Sequence, residues 1–110
     1  MSLTPNAARQ MPIVYSSALT GFVLKEDLLR LYYLDANNSV TELAWSSDKK
    51  QWSVSNLITR ADAPAAAPGS MLMGFVLKED LLRLYYLDAN NSVTELAWSS
   101  DNQWIAKCLS

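Results

Sequence analysis

The chain has 110 residues, half of them hydrophobic, with 9 basic and 11 acidic side chains and a formal net charge of −2, the size of one small domain or of two repeat units. Its charges are scattered, with no basic stripe for nucleic acid and no basic amphipathic helix for a membrane surface. It contains no histidine, which removes histidine-based acid–base catalysis, the Ser-His-Asp and Cys-His nucleophile systems and nearly all zinc sites.

The opening MSLTPNAARQMPIVY has no apolar h-region, so no secretory signal is expected, which leaves the cytoplasm or non-classical export. Residues 1–14 read as a lead-in to the folded part. Apolar runs are only a few residues long, too short for a membrane helix. From residue 16 the signals are for strands. SSALTGFV (16–23), LLRLYYLD (28–35), SVTELAWS (39–46) and QWSVSNLI (51–58) are bounded by the turn clusters KED, ANN and SSDKK. A helical reading of EDLLRLYYL has its leucines in favour. Against it stand the Tyr-Tyr pair, the abrupt DANNS turn and the β-rich segment that follows.

The segment TRADAPAAAPG (59–69) reads as an extended or irregular connector. The pattern then starts again. The block GFVLKEDLLRLYYLDANNSVTELAWSSD fills 21–48 and recurs letter for letter at 74–101. The second set of strands is SMLMGFV (70–76), LLRLYYLD (81–88), SVTELAWS (92–99) and QWIAKCLS (103–110). Four short antiparallel strands in a repeat of about 40–55 residues is the arithmetic of a propeller blade. The expected architecture is therefore all-β: a lead-in at 1–14, blade 1 at 15–58, a linker at 59–69 and blade 2 at 70–110. Cys108 has no partner for an intrachain disulfide and reads as a small strand residue.

The DANNS turn sets the register. A three-residue hairpin loop ends in a left-handed residue, a position that suits Asn38. Asp35 then pairs with Ser39, Tyr32 with Glu42 and Arg30 with Ala44, which puts Arg30, Tyr32 and Glu42 on one face and Leu43 and Trp45 on the other. A two-residue turn would shift the register and bring Trp45 beside Arg30. DANNS lacks the glycine and the distal acid of a calcium loop, so no metal is expected. Its Asn-Asn-Ser sequons are better explained by a tight hairpin than by glycosylation.

Arg30 lies among apolar neighbours in LLRLYYL with Glu42 facing it from the next strand. The pair is either a partly buried ion pair that fixes the hairpin or a polar clamp for the hydroxyls of a small neutral ligand. Trp45, Trp52, Trp98 and Trp104 occupy equivalent places in the two units. An aromatic platform with a few polar groups is how sugars are bound. With clamp and tryptophans on opposite faces of a blade, such a site would form only between neighbouring blades.

These residues resemble the fucose-binding β-propeller lectins of fungi and bacteria. Blades of that family carry an R-x-Y strand, a turn, a Glu about a dozen residues after the Arg, a Trp three residues later and a second Trp beyond. Arg30-Leu31-Tyr32 is followed by Glu42, Trp45 and Trp52, and Arg83-Leu84-Tyr85 by Glu95, Trp98 and Trp104. The resemblance implies that Arg30 with Glu42, and Arg83 with Glu95, hydrogen-bond a fucose, and that tryptophans of the adjacent blade pack on its apolar face. It also implies two blades per chain and a six-bladed ring made by a trimer. Two blades cannot close a ring by themselves, and a repeat array needs at least about three units to bury a continuous core; closed cyclic symmetry supplies them. The expected function is a multivalent lectin for fucosylated glycans, with no catalysis and no cofactor. The alternatives are a structural or designed repeat module whose Arg–Glu pairs serve packing, a lectin for another sugar, and a glycosidase. A glycosidase would have to draw its acid pair from Asp27, Asp35, Glu42 or Asp48.

Overall fold

The computed structural model describes residues 18–23, 28–78 and 81–110. The expected lead-in over 1–14, the start of the first strand and the KED turn of the first unit lie outside these residues. Two four-stranded antiparallel sheets follow one another along the chain. The first is β1 (Leu19–Val23), β2 (Leu29–Leu34), β3 (Val40–Ser46) and β4 (Gln51–Asn56), and the second is β5 (Leu72–Lys78), β6 (Leu81–Leu87), β7 (Val93–Ser99) and β8 (Gln103–Cys108). In each sheet the strands lie in sequence order. The all-β, two-blade expectation matches this architecture, and the helical alternative for EDLLRLYYL does not.

The hairpin register is that of the three-residue loop. Tyr32 faces Glu42 and Arg30 faces Ala44, and Asn38 and Asn91 both take φ 60°. Asp35 organises the turn. Its Oδ1 accepts from the amides of Asn37 and Ser39 at 2.8 and 3.1 Å, and its Oδ2 from the Thr41 hydroxyl at 3.1 Å. Asp88 repeats the pattern with Asn90, Ser92 and Thr94. Both carboxylates are buried, and these bonds satisfy the acceptors that burial would otherwise leave open.

The strand expected over 51–58 stops at Asn56. A single helical turn, α1 (Leu57–Ala61), follows, capped by the Asn56 side chain at its start and by left-handed Asp62 at its end. It straddles the boundary expected between blade 1 and the linker. Leu57 is fully buried, and hiding that side chain between the sheets requires the chain to turn where β4 would otherwise continue. The rest of the connector is anchored as well. The Ala66 amide donates to Asn38 O and the Ala67 amide to Leu87 O, and the Tyr86 hydroxyl donates to Pro64 O.

The core lies between the sheets. Tyr32, Leu34 and Val40 of the first meet Leu72, Leu82, Leu84, Tyr86, Leu96 and Trp104 of the second. Strands β1 and β5 run beside each other. Gly74 permits this approach, because a Cβ there would stand 2.8 Å from the Phe22 ring. No described helix is long and apolar enough to cross a membrane.

Candidate functional site

Alternation along β2 and β3 sets Arg30, Tyr32 and Glu42 on one face, with Tyr32 and Glu42 directly opposed. The Tyr32 hydroxyl donates to Glu42 Oε2 at 2.8 Å. Arg30 Nε stands 3.9 Å from the same oxygen, and its Nη1 donates to Leu29 O at 3.0 Å. Burial, reinforced by the Glu42 charge and hydrogen bond, pushes the Tyr32 phenol far above its ordinary range. The Tyr32 hydroxyl therefore stays protonated and remains a donor to Glu42.

The second blade presents its opposite face to this clamp. Leu82, Trp98 and Trp104 pair across β6, β7 and β8 and form the facing wall of a cleft of about 300 Å³ that Arg30 and Glu42 also line. Trp104 meets the Tyr32 ring edge-on at 6.0 Å. Four of the eight sequence-predicted site residues thus meet here: Arg30 and Glu42 from one blade, Trp98 and Trp104 from the other. Such a cleft offers charged hydrogen-bonding groups on one side and indole on the other, the combination that suits a small polyol with an apolar face.

The other four are placed differently. Arg83 and Glu95 repeat the clamp at 3.9 Å, with Tyr85 donating to Glu95 at 2.9 Å, but they line a smaller hollow of about 220 Å³ whose lining residues all come from the second blade. Trp45 and Trp52 pack on each other at 5.6 Å, on the face of the first blade turned away from Arg30. Among the described residues, Trp52 Nε1 is the one buried side-chain polar atom without a hydrogen-bond partner.

Sequence reasoning missed Arg60. It lies in α1, lines the cleft and stands 3.7 Å from Glu42 Oε1. Its segment read as connector, so no periodicity pointed to it. Among the described residues no group of His, Cys, Asp and Glu could hold a metal, and the acceptors of Asp35 are already engaged by its own turn.

A curated fucose-specific lectin, g276, of Arthrobotrys oligospora is 31% identical over 83 residues, covering 73% of this chain and 20% of that protein. A crystal structure of AofleA from the same fungus superposes with a TM-score of 0.68 at 22% identity, over 89% of this chain and 28% of the other. The chain is similar to a fucose-specific lectin over most of its own length. The chain spans about a fifth of the first relative's length and somewhat over a quarter of the second's, and its two sheets take the fold of two blades of that propeller. The AofleA crystal is of a variant with three arginines changed to alanine. No family profile matches the sequence of this chain.

Proposed function

We propose that the chain is a multivalent fucose-binding lectin, a carbohydrate-binding protein and not an enzyme, whose sugar sits between adjacent blades. The observation that carries this reading is the meeting of Arg30 and Glu42 with Trp98 and Trp104 across one cleft. The guanidinium donates to sugar hydroxyls and the carboxylate accepts from them. The indoles cover the C–H face and the methyl group of the 6-deoxy sugar.

A second site forms where Arg83 and Glu95 of one copy meet Trp45 and Trp52 of the next. Internal comparison supports it. Leu82 is 2% exposed beneath the first blade's clamp face, whereas its counterpart Leu29 is 38% exposed. Phe22 is half-buried, whereas its counterpart Phe75 is 47% exposed. On the second and third strands of each blade, the two outward faces therefore carry the same residues as the two faces that already pack together. Head-to-tail stacking of copies covers both, and three copies make a six-bladed ring, the number implied by the resemblance. Several shallow sites on one ring convert modest affinity into avidity on a fucosylated surface.

Calorimetric titration with methyl α-L-fucoside tests the reading. Binding heat that disappears in the Arg30→Ala/Arg83→Ala double variant supports it. No heat at millimolar sugar, or full binding by the double variant, contradicts it.

A further inference from the structure

The cleft between the blades carries more positive charge than a neutral sugar needs. Arg60 Nη1 lies 3.7 Å from Glu42 Oε1, and Arg30 Nε lies 3.9 Å from Oε2. One carboxylate therefore faces two guanidinium groups. The remaining lining residues, Ala44, Ser53, Leu82, Trp98, Gln103 and Trp104, are uncharged. A cleft with a net positive charge thus sits in a chain whose formal net charge is −2.

Arg60 is held in place. The Asn56 side chain caps the turn that carries it, left-handed Asp62 closes that turn, and Arg60 Nη1 donates to Ser55 Oγ at 3.0 Å. Both carboxylate contacts are longer than an ordinary hydrogen bond of about 2.7–3.2 Å. Glu42 offsets part of the charge without consuming the donors. A guanidinium has five N–H groups in a planar fork that matches an oxyanion, and 43% of the Arg60 side chain is open to solvent at the cleft's edge. The second half-site is built differently: Lys107 stands opposite Glu95 where Ser55 stands opposite Glu42.

We infer that Arg60 makes the cleft between the two blades of one chain selective for fucosylated glycans that carry an oxyanion, a sulfate ester or a carboxylate, next to the clamp. This inference rests on the fucose reading above. The anion sits against Arg60 at the rim while Arg30 and Glu42 hold the sugar.

The test is calorimetry on the Arg83→Ala background, which silences the other half-site. The probes are methyl α-L-fucoside, its sulfate monoester, and an α-L-fucoside whose neighbouring sugar is a uronic acid. At low salt the better anionic probe should bind about tenfold more tightly than the neutral one, the yield of one charge-assisted hydrogen bond. High salt should shrink that ratio. Arg60→Gln should bring it close to one, and Arg60→Lys should keep part of it. Which anionic probe gains more identifies sulfate or carboxylate as the source. Equal binding of all three probes overturns the inference. So does an Arg60→Gln variant that weakens all three by the same factor, since Arg60 would then only position Glu42. If the neutral fucoside binds and the anionic probes gain nothing over it, this inference falls while the fucose reading stands. If nothing binds, both fall.

Discussion

The Tyr32 hydroxyl donates to Glu42 Oε2 at 2.8 Å, and Tyr85 makes the same bond to Glu95 at 2.9 Å in the second sheet. The bonds match but their surroundings do not. Tyr32 is fully buried beneath the second blade, while Tyr85 is only half-buried. In both sheets the phenol takes the Oε2 oxygen of the carboxylate, and in the first sheet Oε1 faces Arg60 at 3.7 Å. Tyr32→Phe leaves the Glu42 carboxylate, 7% exposed, without that donor. It should cost about 1–3 kcal/mol in urea unfolding and weaken sugar binding in the cleft. Tyr85→Phe should cost less, because water reaches Glu95. Equal losses in the two variants would contradict this.

Tyr32 also sets an alkaline limit. Burial raises its folded-state pKa well above the value near 10 of the unfolded chain, and Tyr86 is raised for the same reason. Each contributes stability that is complete below about pH 10 and is lost as pH climbs from there toward the raised folded value. The urea midpoint should therefore hold steady up to about pH 9.5 and fall above pH 10. In Tyr32→Phe the fall should be shallower by about 1.4 kcal/mol per pH unit. An identical slope in the variant would show that Tyr32 is not the titrating group.

The turn makes a separate prediction. Asp35 accepts from two amides and a hydroxyl, so Asp35→Ala should cost about 2 kcal/mol or more in denaturant unfolding. Asn38, at φ 60°, should accept glycine at no loss, whereas Asn38→Val should cost about 1–2 kcal/mol. A tolerated valine would mean the turn changes type.

That turn is why so much of the blade was legible. Asp35 and Asn38 are residues whose local chemistry dictates one loop length, and the loop length fixes which side chains share a face. From that follow the alignment of Arg30, Tyr32 and Glu42 and the opposite placement of Trp98. The segment after Asn56 was not legible in the same way. Leu57 and β-branched Ile58 read as the end of a strand and Thr59 and Arg60 as connector, but the burial of Leu57 between the sheets outweighs that preference, and Arg60 enters the cleft on the resulting helical turn. A local pattern does not show which side chain the second sheet will cover. For the same reason the sequence distinguished poorly between the two copies of the clamp. Arg30 and Arg83 have identical neighbours in the repeat, and only packing sets another blade against one clamp and leaves the other without it.

The outward faces predict assembly. Phe22 packs 5.5 Å from Tyr32 inside the interface between blades, while Phe75 is exposed beside Tyr85 at 6.0 Å. Phe75→Lys should leave the fold intact but lower the mass seen by light scattering to that of single chains. Phe22→Lys should destabilise the chain itself by about 3 kcal/mol or more. An unchanged mass for Phe75→Lys would contradict ring closure through this face.

The central claim is that each sugar is held by the clamp of one blade and the tryptophans of its neighbour, and calorimetric stoichiometry of four single variants tests it most directly. The account predicts about two methyl α-L-fucosides per chain in the wild-type protein, about one in Arg30→Ala and about one in Arg83→Ala, with Trp98→Ala matching Arg30→Ala and Trp45→Ala matching Arg83→Ala. Stoichiometry unchanged in these variants, or Trp98→Ala removing the site that Arg83 serves, would contradict it.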